Sequence, residues 1–175
     1  MLFKDNLKSE SGFTLVELLV VIAIIVVMVG GLILILNPAE QIAKVNDAKR
    51  KGDLGQLQKA LELYYQDYGK YPVSTATYTI TGSTGWGGIW SSYMTKLPID
   101  PTGRIYRYYA PIDGQCANYQ CYFIYGSLEK ADDIQACNSG AACVSLSAYF
   151  IPAAPAVDSC GGTCNYGVSS SNVRP

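Results

Sequence analysis

Glu17 is the residue whose surroundings make its chemistry most conspicuous. It stands near the start of the apolar segment 13–36, in which residues 18–36 include no charged or strongly polar side chain. A carboxylate there is expensive to keep ionised, so it is a functional residue by default and needs a partner. The competing reading is a plain single-pass anchor whose acid reaches the interface. The second reactive group is six cysteines, Cys116, Cys121, Cys137, Cys143, Cys160 and Cys164. Their spacing contains no Cys-x-x-Cys and the chain has no histidine, so a zinc site starts without its usual ligands. Even in number and clustered beyond an apolar segment, they read as disulfides made in an oxidising compartment. Short separations favour Cys116–Cys121, Cys137–Cys143 and Cys160–Cys164. The absent histidine also removes the commonest general base, and an enzyme is the least favoured class. A net charge of −1 argues for no nucleic-acid partner.

These groups must be positioned by a chain of 175 residues, one domain with an anchor. Residues 1–12 are short, polar and mixed in charge, a leader by pattern. Residues 13–36 form an apolar helix long enough to span most of a bilayer's hydrocarbon. An ordinary secretory signal would have a shorter apolar core with its cleavage site after that core. Gly30 and Gly31 weaken the helix, and Pro38 removes a hydrogen bond, so a bend or loosening is expected from 30 to 38. Lys4 and Lys8 precede the span, whereas Lys44, Lys49, Arg50 and Lys51 follow it. Counting charges alone would place the C-terminal side in the cytoplasm, but a folded domain can translocate regardless of flanking charge, and the cysteines favour the opposite side.

Residues 37–68 continue as a second helix. Glu40 with Lys44 and Asp47 with Lys51 are acid-before-base pairs at i,i+4. Leu54, Leu57, Leu61, Tyr64 and Tyr68 then form an apolar stripe that must face a core. If unbroken from 13 to 68, the rod would be roughly 80 Å long, too long for a small domain to bury. Gly69 and Pro72 end it. Residues 69–175 read as a β-rich head. Segment 77–81 alternates as a short strand, while 105–110 and 120–125 suit a meander introduced by the Asp100-Pro101 turn. The glycine-rich loop 82–88 lacks the Gly-Lys-Ser/Thr of a phosphate loop. Trp86 and Trp90 are read as covering the sheet. Residues 152–156 form an extended connector between cysteine-bearing segments, and 168–175 reads as a mobile tail.

The wording around Glu17 narrows the function. Lys8-Ser-Glu-Ser-Gly12 followed by Phe13-Thr-Leu-Val-Glu17-Leu-Leu resembles the leader and cleavage site of type IV pilins and of the related pseudopilins. The resemblance implies that a prepilin peptidase cuts after Gly12, that Phe13 is then N-methylated, and that Glu17 serves assembly. Residues 61–72 resemble the end of the long helix in major pseudopilins. Leu97-Pro-Ile-Asp100-Pro leading into Tyr106-x-Tyr108 is similar to the major pseudopilin of type II secretion. The implied fold is α+β, a long N-terminal helix packed by its C-terminal half on a small antiparallel sheet. That group binds calcium in an acidic loop, matched here by 127–134. Calcium takes some six to eight oxygens, and Glu129, Asp132 and Asp133 are only a start, so a solvated acidic loop without a cofactor is favoured.

The function this implies is a structural filament subunit that polymerises with its own copies on an inner-membrane assembly platform. Before assembly it is a single-pass protein of the inner membrane with its head outside the cytoplasm; afterwards it belongs to a periplasmic or extracellular filament. Glu17 can pair there with the Phe13 amine of a neighbour, or fold back locally on its own N-terminus. The rival classes are a DNA-uptake minor pilin, which would need a basic tip, and a non-polymerising anchored binding domain.

Overall fold

The computed structural model describes residues 12–112, 114–144 and 155–171. The chain divides into two compact units, Met1–Gln41 and Ile42–Pro175. The leader up to Ser11, the apolar run 148–151 and the tail from 172 lie outside the described residues, as does most of the connector 152–156.

Helix α1, Leu15–Leu36, is capped by Thr14. Its Leu15–Leu32 stretch has a mean hydropathy of 3.0 with none of its length buried in the chain, and it is long and apolar enough to cross a membrane. Gly30 and Gly31, expected to loosen this helix, remain inside it. Two glycines lower helix propensity, but they do not remove a hydrogen bond as proline does. The break is one residue wide. Asn37 adopts the left-handed conformation (φ 39°), which asparagine tolerates better than most side chains. Pro38 then opens helix α2, Pro38–Tyr68, where its missing N–H and fixed φ suit the first helical position. The single rod from 13 to 68 is thus two helices.

From Ile42 onward α2 belongs to the second unit. Its buried face begins earlier than the apolar stripe, with Asp47 and Arg50, and continues through Leu54, Leu57, Ala60 and Leu61. Tyr64 is half-buried against Trp90 and Tyr93, while Tyr68 is exposed. The sheet is antiparallel in the order β1 (Arg107–Tyr109), β2 (Phe123–Gly126), β3 (Tyr166–Ser169). Register pairs Tyr108 with Ile124 and Ile124 with Val168.

Alternation along β2 builds two layers, because successive side chains face opposite sides of a strand. Ile124 joins Tyr106, Tyr108, Tyr122 and the α2 leucines in the main core. Phe123 and Tyr125 face the other way, onto a cluster that contains Cys116, Cys121, Cys143, Cys160 and Cys164. The cystines thus serve as the second hydrophobic layer. Disulfides join Cys116 to Cys121, Cys137 to Cys143 and Cys160 to Cys164.

Two strand expectations change. Segment 77–81 is a turn closed by the Ser74–Ile80 bridge, with Tyr78 at φ 57°. The threonines bond one another across it: Thr75 Oγ1 lies 2.8 Å from Thr79 Oγ1 and accepts the Thr79 N–H. Such side-chain bonds compete with a ladder. Conversely, Val168 and Ser169, expected in a mobile tail, belong to β3, and Ser170 is buried. Trp90 is a core residue and Trp86 packs edge-on against Tyr106.

Candidate assembly site

At the first unit, Thr14 and Glu17 form a reciprocal capping box. The Glu17 N–H donates to Thr14 Oγ1 at 3.2 Å, and Glu17 Oε2 accepts from the Thr14 N–H and hydroxyl, each at 3.5 Å. The signal was legible as Thr14-x-x-Glu17, the Thr-x-x-Glu form of a helix start. Contacts of 3.5 Å are at the long limit for a hydrogen bond, so the carboxylate is held loosely. Both Phe13 and Leu15 beside it are exposed. Gly12 and Phe13 precede the helix in exposed, non-helical backbone.

In the second unit the polar focus is Arg50, fully buried. Its Nε and Nη2 donate to Asp100 Oδ2 and Oδ1 at 2.6 and 3.1 Å, a bidentate pair. Nη1 donates to Asp47 Oδ1 at 2.7 Å and to Glu129 Oε1 at 2.9 Å, and Nη2 also reaches Thr102 Oγ1 at 2.6 Å. Asp100 Oδ1 also accepts the N–H groups of Thr102 and Arg104, which fixes the turn that follows. Asp47 accepts the N–H of Glu129 at 2.9 Å and of Lys130 at 3.0 Å. One guanidinium therefore fastens three segments: α2, the loop at 100–104, and the loop that begins at Ser127.

Burial alone would lower the pKa of Arg50, but its bonds to Asp100, Asp47 and Glu129 outweigh that and raise it. Burial pushes the Asp100 carboxyl up; Arg50 and Thr102 reverse the effect and hold it below the usual carboxylate range. Lys51 does not pair with Asp47 as i,i+4 spacing suggested. Its Nζ lies 2.7 Å from both oxygens of Asp133 and holds that carboxyl low. Lys49 instead takes Asp53 at 2.9 Å. The loop at 127–134, expected to be a solvated acidic loop, is thus ion-paired to the helix through Glu129 and Asp133. Among the described residues no group of three or more His, Cys, Asp or Glu side chains is arranged to hold a metal.

The Arg50 cluster lies beyond the sequence reading, in which Asp47 pairs with Lys51 and Arg50 is only one of the basic residues that follow the span. The available sign was their i,i+3 spacing one turn before Leu54, on the same helical face.

An apolar N-terminal helix with one loosely held carboxylate, followed by a small α+β head, defines the pseudopilin class. Residues 7–33 match the family model for the prokaryotic N-terminal methylation motif. Residues 37–132 match the model for type II secretion system (T2SS), protein G. The type II secretion system core protein G of Pseudomonas aeruginosa is 32% identical over 112 residues, which cover 59% of this chain and 76% of that protein. The protein of the same name from Vibrio cholerae is 28% identical over 117 residues, covering 62% and 76%. No solved structure matches. The chain belongs to the type II secretion system protein G family. It is a pseudopilus structural subunit of the kind processed by prepilin peptidase and built into a filament by self-assembly.

Proposed function

We propose that this chain is a filament subunit of a type II secretion pseudopilus, stored in the inner membrane through α1 and polymerised through the same helix. The observation that carries the reading is α1 itself, apolar in sequence, unburied within the chain over Leu15–Leu32, and bearing one acid near its start. Lipid covers the helix before assembly, with burial worth tens of kcal/mol on area bookkeeping, roughly 25 cal/mol per Å². Helices of neighbouring copies replace the lipid in the filament, so the transfer costs little. Prepilin peptidase cuts after Gly12 and frees the Phe13 amine, which is then methylated. Glu17 leaves its long bonds to Thr14 and pairs with the Phe13 amine of an adjacent copy, so that two charges in an apolar medium satisfy each other. Assembly takes place on an inner-membrane platform, with the head outside the cytoplasm where its cysteines oxidise.

Mass spectrometry of the mature subunit tests this directly. The expected N-terminus is methylated Phe13; a membrane subunit that retains Met1 contradicts the reading. We also infer that the loop at 127–134 needs no calcium, since Arg50 and Lys51 already supply cations to Glu129 and Asp133. Chelation should leave the melting temperature of the full chain unchanged, and a calcium-dependent rise would refute that inference.

A further inference from the structure

Among the described residues of the head, one large apolar side chain stands fully in solvent. Ile134 is fully exposed, yet the loop that presents it is firmly tied. Asp133 is ion-paired to Lys51 through both oxygens and accepts the Gln135 N–H at 2.9 Å. Upstream, Asp47 fastens the backbone of Glu129 and Lys130, and the Leu128 N–H donates to Asn165 Oδ1 at 2.7 Å. A single exposed isoleucine is ordinary. One mounted on a loop fixed by a buried ion cluster is held in place for a contact.

The complementary feature is a cleft of about 330 Å³ floored by Met94, Leu97, Pro98 and Ile99, with Lys49 and Lys96 among its lining residues. Gly87, at φ 81°, leaves room for Ile99 where a Cβ would otherwise stand. Knob and cleft lie on opposite flanks of α2. Lys49 Nζ donates to the Ile99 carbonyl at 2.9 Å on the cleft side, and Lys51 holds Asp133 on the knob side. Two residues along an α-helix are separated by about 200° around its axis. Between them, Arg50 reaches Asp100 toward the cleft and Glu129 toward the knob. Charge is complementary as well. The exposed carboxylate beside Ile134 is that of Asp132, 78% exposed and only 3.5 Å-bonded to Lys130; the cleft is lined by Lys49, Asp53 and Lys96, and because Asp53 takes up the charge of Lys49, Lys96 is the cation left to face it.

We propose that Ile134 seats in the Met94, Leu97, Pro98 and Ile99 cleft of a second copy of this chain, with Asp132 facing Lys96. A knob on one flank and its cleft on the other make a heterologous contact, which adds copies head to tail and gives an open helical array when the rotation between copies does not close a ring, the case the filament reading requires. Arg50 is a positioning residue, a strut that sets the distance between the two surfaces. The inference rests on the filament reading above and adds a contact between heads to it.

The test replaces Ile134 in the full chain by a photo-crosslinking amino acid, irradiates assembled filaments and maps the linked peptides by mass spectrometry. Links should fall on residues 94–99 of a neighbouring copy. Lys96→Glu should lower the link yield about tenfold through like-charge repulsion with Asp132, and adding Asp132→Lys should restore it. Ile134→Asp should cut filament yield about tenfold without altering the melting temperature, since only an interface burial is lost. Links elsewhere on the neighbour, or on a different protein, in filaments that still form would overturn the knob contact and leave the filament reading standing. Failure of the unaltered chain to form any filament would overturn both.

Discussion

Glu17 and Arg50 are charged residues that meet opposite solutions to the cost of an apolar setting. Glu17 has bonds of 3.2 to 3.5 Å, all to one neighbour on its own helix. Arg50 is bonded to three carboxylates and a hydroxyl drawn from three segments, at 2.6 to 3.1 Å. In the proposed filament role Glu17 changes partners, and it is weakly held; Arg50 keeps three segments in register, and it is saturated. The two helices divide the work in the same way. α1 leaves its apolar surface uncovered for lipid or for other copies, and α2 spends its inner face on the head.

Breaking the saturated site should have the largest effect. Arg50→Met leaves Asp47 and Asp100 buried without a cation, and removal of one partner of such a cluster costs about 3–5 kcal/mol. Denaturant unfolding of the full chain in detergent should show that loss, and Arg50→Lys should recover only part of it because an ammonium cannot make the bidentate pair. Next come the cystines. Each closes a loop of four to six residues, worth roughly 2 kcal/mol in chain entropy. Replacing both cysteines of any one of them by serine should lower the melting temperature by less than Arg50→Met does, and loosening of the layer beside Phe123 and Tyr125 should be detectable as binding of a hydrophobic dye.

A smaller effect is expected from acid. The carboxyls of Asp100 and Asp133 are depressed in the folded state. Their contribution is therefore complete above the ordinary carboxylate value of about 4, and it is lost as pH falls below that through their folded values. Melting temperature should decline on that limb, and Asp100→Asn should flatten it while lowering the plateau. Smallest is Thr14→Ala, which removes the cap of α1 at a cost of ~1 kcal/mol or less. Circular dichroism of the full chain in detergent should register slight fraying at one helix end and no change in the melting of the head.

Much of the molecule could be read from local pattern. The apolar segment, the helix stop at Gly69, the paired runs that became β1 and β2, and the cysteine clustering each depend on residues close in sequence. What escaped depends on distance. Arg50 finds Asp100 and Glu129 only after the head has folded, so its spacing from Asp47 was the one local sign. β3 is four residues whose side chains are half-buried; Tyr-Gly-Val-Ser carries no clear alternation, and its pairing with β2 defines it. Segment 77–81 alternates like a strand, yet the hydroxyl of Thr75 bonds to those of Thr77 and Thr79 in a turn. At the helix break, proline's missing donor and asparagine's tolerance of positive φ outweighed two glycines.

In the proposed function Glu17 is the residue that separates the two uses of α1. Electron microscopy of sheared material from cells making Glu17→Ala, with membranes probed for the subunit in parallel, tests it most directly. A processed subunit that accumulates in the membrane and forms no filaments is the expected result. Filaments of normal number and length from Glu17→Ala would contradict it.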